Sequence, residues 1–406
     1  MRRAPFIGSI AATLAASALP AAVRASSDAP LLGDDLLARH RAELASASVG
    51  IITNQTGVNS AGVGVVDAAR AAGLRVRALF SPEHGLHGDR PAGAFVESYT
   101  DERTGLPVYS LYGPDRHPSS KMLAGLDVLL FDIQDVGSRA YTFISTMAMA
   151  MQSAAAHGIE FWVLDRPNPV GGAIVEGPVL QAQFSSFIGL YPIAMRHGMT
   201  VGELAGLFNA HFGIGARLRV VAMEGWKRST IWPQTHLRWI RTSPNVPTWQ
   251  TSFVYLCTGL IDSLGLNNGV GTPEPFFYAG APHLDARAFA SALSERQISG
   301  VEFVPSDWSP SKGANAGRSF SGVRLDLFDP ADFFAVRTAV ELLVCARTLE
   351  PSAISTENVR AIDLDWGTDS VRAQLLSGRS ADEIVASWQG GLSQFLPLRE
   401  RFLLYS

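Results

Sequence analysis

Cysteine is nearly absent. Only Cys257 and Cys345 occur in 406 residues, so at most one disulfide can form. Their spacing matches no metal site, and both lie in apolar stretches where two buried thiols fit as well as a bridge. An excess of one charge is missing too: 33 Lys and Arg face 37 Asp and Glu, for a net charge of -4. That balance excludes the strongly basic surface typical of nucleic-acid binding and gives membrane adhesion no support. Beyond the N-terminal leader no apolar run is long enough to span a bilayer. The dinucleotide fingerprint Gly-x-Gly-x-x-Gly is absent where it would open the first helix, at Thr53 to Gly62, which argues against NAD or FAD. No Walker phosphate loop and no Gly-x-Ser-x-Gly nucleophile elbow occurs. No cofactor and no metal are therefore expected.

A globular composition is present instead, 47% hydrophobic and 17% charged. The N-terminus has the pattern of a signal peptide over residues 1–25. Arg2 and Arg3 precede an Ala-rich apolar stretch from Phe6 to Val23, and Val23-Arg24-Ala25 suits cleavage after Ala25. A membrane anchor is the competing reading, and the arginine pair hints at twin-arginine export. The chain is expected to be exported, to the periplasm or beyond.

From there short apolar runs alternate with helical patterns. Strands are expected near 49–54, 75–80, 107–111, 127–133, 160–165 and 218–221, with helices near 64–72, 121–126, 141–157 and 199–212. In the last, Thr200 is placed to cap and Glu203 to complete a capping box. Continuous apolar strands separated by helices imply a mostly parallel sheet covered on both faces. The fold class is thus α/β, a Rossmann-like doubly wound domain over 26–248, with a smaller α+β domain over 249–406. The Trp- and Pro-rich stretch 226–249 is expected to bridge the two.

Open α/β sheets bind ligands beyond the carboxyl ends of their strands. Those ends carry Asn54 and Gln55, Glu83 and His84, Asp132 to Asp135, and Asp165 to Asn168. Glu83 stands between a proline and a histidine after a buried strand. A partly desolvated carboxyl there suits a general acid, and equally suits a loop cap. His84 and His87 with Asp89 offer at most a weak metal pattern. Asp135 follows the most apolar strand and can be a second carboxylate, or can simply pair with Arg139. Arg139 and Tyr141 suit sugar or carboxylate recognition. Asp165, Arg166, Asn168, Glu176, His197, Asn245 and Asn267 complete the candidate substrate contacts.

Seven strings occur in order: Gly50-Ile-Ile-Thr-Asn-Gln-Thr-Gly57, Ser81-Pro-Glu-His-Gly85, Asp132-Ile-Gln-Asp-Val-Gly-Ser-Arg139, Asp165-Arg-Pro-Asn-Pro169, Val175-Glu-Gly-Pro178, Arg196-His-Gly-Met-Thr200 and Ser243-Pro-Asn-Val-Pro247. Together they resemble the NamZ-type exo-β-N-acetylmuramidases, glycoside hydrolase family 171, from about residue 48 to the C-terminus. The resemblance implies an active site in the cleft between the two domains. It also implies release of N-acetylmuramic acid (MurNAc) from the non-reducing end of MurNAc-GlcNAc fragments of peptidoglycan, with Glu83 as leading catalytic residue. The partner of Glu83 is not carried over. Asp135 is the first candidate, His84 or His197 can take its place, and the substrate's own acetamide is a further option. Arg139 is the first candidate for the lactyl carboxylate of MurNAc. The loop Asn268 to Phe276 departs from the family's Glu-Gly-Arg-Gly-Thr-Thr-like pattern, which leaves the exact substrate open. A non-catalytic muropeptide-binding protein, or a hydrolase of another cell-wall bond, also fits these residues.

Overall fold

The computed structural model describes residues 29–114 and 116–406. The expected leader, 1–25, lies outside them. Among the described residues no helix is long and apolar enough to cross a membrane.

Among the described residues twelve strands form in chain order. The first nine are β1 (Ser48–Thr53), β2 (Arg75–Ser81), β3 (Tyr99–Thr100), β4 (Pro107–Ser110), β5 (Val128–Asp132), β6 (Glu160–Leu164), β7 (Glu176–Val179), β8 (Ala194–Arg196) and β9 (Arg217–Val221). The last three are β10 (Tyr278–Ala281), β11 (Val301–Trp308) and β12 (Phe320–Leu327). The main sheet has the order β3-β4-β2-β1-β5-β6-β9. All its pairings are parallel except that of the two-residue edge strand β3 with β4. Leaving β3 aside, this is the Rossmann order, with the direction of winding reversing between β1 and β5. The central strands β1 and β5 are buried along their whole length, as their unbroken apolar runs require.

Helices Val65–Ala71, Phe143–Ala156 and Val201–Ala210 connect these strands. Thr200 caps the last one, and its hydroxyl and the Glu203 carboxylate make the expected reciprocal box. Such a cap contributes about 1 kcal/mol.

The C-terminal part holds a three-stranded antiparallel sheet, β10-β12-β11, and helices Trp249–Thr258, Ala286–Ser294 and Ala335–Leu349, followed by four more to Glu400. One apolar cluster runs from Phe131 and Met147 under the main sheet through Phe253 to Leu325, Leu343 and Trp366, so the two parts share a core. The stretch 226–249 is packed onto the fold. Trp226, Ile231, Trp232 and Val246 are buried, Trp232 packs edge-on against Trp239 at 4.9 Å, and Gln55 Nε2 donates to the Arg241 carbonyl at 2.8 Å. Large apolar side chains dock this stretch over the end of β1. Cys257 and Cys345 are both buried free thiols.

Candidate active site

The parallel strands deliver their polar residues to one edge. Ser81 pairs with Ser110, and in the turns just beyond these strand ends Glu83 and Tyr112 come together. Glu83 is half-buried, and both of its oxygens are engaged. Oε1 accepts from the Gly93 backbone N–H at 2.9 Å and Oε2 from the Thr142 hydroxyl at 2.9 Å. Burial raises the Tyr112 phenol above its usual range, and the nearby Glu83 charge adds to this. His84 takes a left-handed conformation, with φ of 71°. Its ring Nδ1 meets the Arg90 carbonyl at 2.8 Å, which organises the loop after β2. Among the described residues no group of three or more His, Cys, Asp or Glu could hold a metal ion.

Asp135 is buried beyond the end of β5. Its Oδ2 accepts from the Gly137 N–H at 2.7 Å, and its Oδ1 has no partner in the protein. Burial pushes this carboxyl up to about 7. The Gly137 turn requires glycine: φ is +84°, and a Cβ there would lie 2.4 Å from Asn168 Oδ1. His197 is wholly buried, and its Nδ1 accepts from the Met199 N–H at 3.1 Å. The proton of the neutral ring therefore sits on Nε2, which faces Asp135 Oδ2 at 4.0 Å, beyond hydrogen-bond length. Burial, then the charges of Arg399 and Arg139, push His197 down to about 3, so it stays neutral. Asn54 Nδ2, Gln55 Oε1 and Gln134 Oε1 are also buried without a protein partner. These atoms lie at the ends of β1 and β5, beside the switch point, while other buried atoms without a partner are spread through the rest of the protein.

Tyr141 joins these groups. Its hydroxyl donates to Thr242 Oγ1 at 2.7 Å, and its ring meets Tyr255 edge-on at 5.6 Å. Tyr255, on helix Trp249–Thr258, then meets Phe276 at 5.1 Å. Burial raises the Tyr255 phenol, and the charges of Tyr141, Asp365, Glu83 and Asp135 raise it further. An aromatic wall thus runs from the first part of the chain to the second. Asn245 is half-exposed, beside the Ser243 that its backbone N–H contacts at 3.2 Å. Asn267 is held in place: its Oδ1 accepts from Gly269 N–H and Trp308 Nε1, and its Nδ2 is unpartnered.

Five residues expected to touch substrate hold the framework instead. Arg139 is 1% exposed, and its guanidinium donates to the carbonyls of Pro178, Ile193 and Asp365. A lactyl carboxylate cannot reach it there. Asp165 is saturated by the backbone N–H groups of Arg166 and Gly202 and the hydroxyls of Thr200 and Tyr405. Arg166 bridges Asp132 and Asp34 at 2.5 and 3.0 Å. Burial alone would lower its guanidinium, and the two carboxylates reverse that. Asn168 closes its own turn through Val170 N–H and donates to the Met199 carbonyl. Glu176 accepts from Arg196 and from the Arg337 N–H at the start of helix Ala335–Leu349. Each carries its polar character inward, a distinction that residue type alone does not contain.

Tyr112, Thr142 and Tyr255 were not singled out in the sequence. Thr142 directly follows Tyr141, so the motif that carries Asp135 and Arg139 simply extends further than its charged members. Tyr255 lies in a helix whose apolar pattern reads as core.

Fold and site define a two-part α/β enzyme with a carboxylate beside the sheet's switch point. The chain belongs to the NamZ family. Residues 49–250 match the model of the exo-β-N-acetylmuramidase NamZ N-terminal domain and residues 253–405 that of its C-terminal domain. A curated relative from Bacillus subtilis (strain 168), peptidoglycan β-N-acetylmuramidase NamZ, is 42% identical over 373 residues, 92% of this chain and 90% of its own. Two solved structures of DUF1343 family proteins from Bacteroides fragilis NCTC 9343 share the fold. One has a TM-score of 0.88 at 33% identity over 94% of this chain and 100% of its own; the other has 0.77 at 27% over 93% and 99%.

Proposed function

We propose that the chain is an exo-acting glycoside hydrolase that releases MurNAc from the non-reducing end of peptidoglycan fragments, in cell-wall turnover or recycling. One observation carries the reading: in a chain similar over nearly its whole length to a peptidoglycan β-N-acetylmuramidase, the half-buried carboxyl at the strand-end edge is Glu83, of the Ser-Pro-Glu-His-Gly string.

Glycoside cleavage needs a proton for the leaving oxygen and support for an oxocarbenium-like transition state. Glu83 is the proton donor in this reading. Thr142 suits both of its forms, because a hydroxyl can donate to a carboxylate and, after rotating, accept from a carboxylic acid. Asp135, enclosed and with one oxygen unpartnered, is the second carboxyl and supports developing positive charge. His197, held neutral, orients its Nε2–H toward Asp135. Asn54, Gln55, Tyr141, Asn245 and Asn267 are the proposed sugar contacts, at the junction of the parts 26–248 and 249–406. No cofactor enters the scheme. Residues 1–25 are proposed to direct export, on the strength of Arg2, Arg3 and the apolar stretch that follows.

The test is release of nitrophenol from para-nitrophenyl β-MurNAc, with the GlcNAc glycoside as control. Turnover of the first and not the second is expected. Turnover of neither by folded protein would contradict the reading.

A further inference from the structure

With Arg139 enclosed, the site as described offers no cation for the one group that sets MurNAc apart from N-acetylglucosamine, the carboxylate of its lactyl ether. The geometry points to Arg116 as the receptor of that carboxylate; the inference rests on the function proposed above.

The turns that follow the paired ends of β2 and β4 bring the Tyr112 phenol within hydrogen-bonding reach of Glu83, and Arg116 follows four residues later. Its guanidinium carbon lies 3.9 Å from the centre of the Phe187 ring and 5.7 Å from that of Tyr112, and the two rings are 5.9 Å apart. Aromatic faces attract a guanidinium without using its N–H donors. Among the described residues no carboxylate pairs with Arg116, and no hydrogen bond engages its donors. A planar fork of five N–H groups is therefore held in a fixed place with its donors available, and such a fork matches a carboxylate bidentately. The arginines enclosed in the framework differ in this respect, since Arg139, Arg166, Arg196 and Arg399 all donate to carbonyls or carboxylates.

The surroundings suit a sugar. Phe95, 58% exposed, lies against Gly113, where an added Cβ would come within 2.4 Å of its ring. Gly113 thus lets the ring lie on the backbone next to Tyr112. The loops after β2 and β4 present Phe95 and Tyr112, Phe187 joins them, and Glu83 stands beside Tyr112. A rim of apolar rings carrying one cation, next to a carboxyl able to donate a proton, is complementary to an acidic sugar. On a sugar with a neutral side arm the guanidinium would be left without its partner, which gives selectivity.

Arg116→Met, which keeps a stem to cover the rings, and Arg116→Lys test this. Each is compared with wild type on para-nitrophenyl β-MurNAc and on the same glycoside with its lactyl carboxylate converted to the amide. Wild type should prefer the acid. In Arg116→Met that preference should collapse by about 10- to 100-fold, the scale of charge-assisted hydrogen bonds, through KM rather than kcat. Arg116→Lys should recover part of it. A wild-type preference retained in Arg116→Met, at an unchanged Tm, would overturn the assignment. Calorimetric titration with free MurNAc and with N-acetylglucosamine keeps the question separate from catalysis. Wild type that turns over neither glycoside but binds MurNAc through Arg116 would sink the proposed function and leave the receptor standing. Equal MurNAc affinity in wild type and Arg116→Met would sink the receptor alone.

Discussion

Glu83 is held by two donors of different kinds. The Gly93 N–H can only donate, whereas the Thr142 hydroxyl can reverse. Thr142→Val keeps the shape and removes the adjustable partner. kcat should fall about 10- to 100-fold, less than the roughly 100- to 10,000-fold that a general acid itself contributes, with Tm within a degree or two of wild type and the pH–rate profile displaced. An unchanged profile would mean that Thr142 only packs there. Asp135 calls for a different experiment. Burial raises its carboxyl from 3.8 to about 7, so the folded state holds this proton more tightly than the unfolded chain. Its contribution to stability is complete below the unfolded value and is lost as pH rises from there through about 7, at up to about 1.4 kcal/mol per unit. Asp135→Asn removes that dependence. Its Tm should exceed that of wild type at pH 8, and the gap should close toward pH 4, while MurNAc glycoside turnover falls sharply. Higher stability together with lost activity is the signature of a group retained for chemistry. Unaltered turnover would remove Asp135 from the mechanism.

Among the elements, those that position the site are tied by buried charges. Arg139 leaves the loop after β5, reaches the Pro178 and Ile193 carbonyls, and crosses to Asp365 on helix Val359–Trp366. Burial lowers its guanidinium to about 9, and the nearby Asp365 charge offsets this only in part. Arg139→Met should destabilise the protein by about 2–4 kcal/mol, since it leaves buried carbonyls without donors. Urea unfolding measures this. The preference for MurNAc over GlcNAc glycosides should be unaltered, and a lost preference would return Arg139 to the binding site. At the element scale the sequence was legible wherever burial was uniform. Strands β1, β5 and β6 announce themselves as apolar runs, β2 opens on the exposed Arg75 and Arg77 and turns apolar only from Ala78, and the capping box of Thr200 and Glu203 fixes a helix start. Strand β11 does not, because Glu302, Pro305, Ser306 and Asp307 interrupt it and only its partner β12 gives it a ladder. The short strands β7 and β8 exist through their mutual pairing and leave no local pattern.

Across the whole molecule the carboxyl-end edge of the sheet was readable as the functional address, because strand order and helix alternation determine it. Which polar residues face outward was not. Asp165, Arg166, Asn168 and Glu176 look identical in sequence to residues that touch substrate. Only the approach of distant segments saturates them, as when Tyr405 reaches Asp165 across 240 positions. Tyr112, Tyr255 and Arg116 show the converse, becoming site residues through register and a shared core that no local motif records.

The most direct test compares wild type and Glu83→Gln on para-nitrophenyl β-MurNAc, with Tm measured on both. Wild-type turnover that falls at least about 1,000-fold in the variant, at an unchanged Tm, is the expected result. A Glu83→Gln variant that still cleaves the MurNAc glycoside near the wild-type rate would contradict the assignment of Glu83 as proton donor.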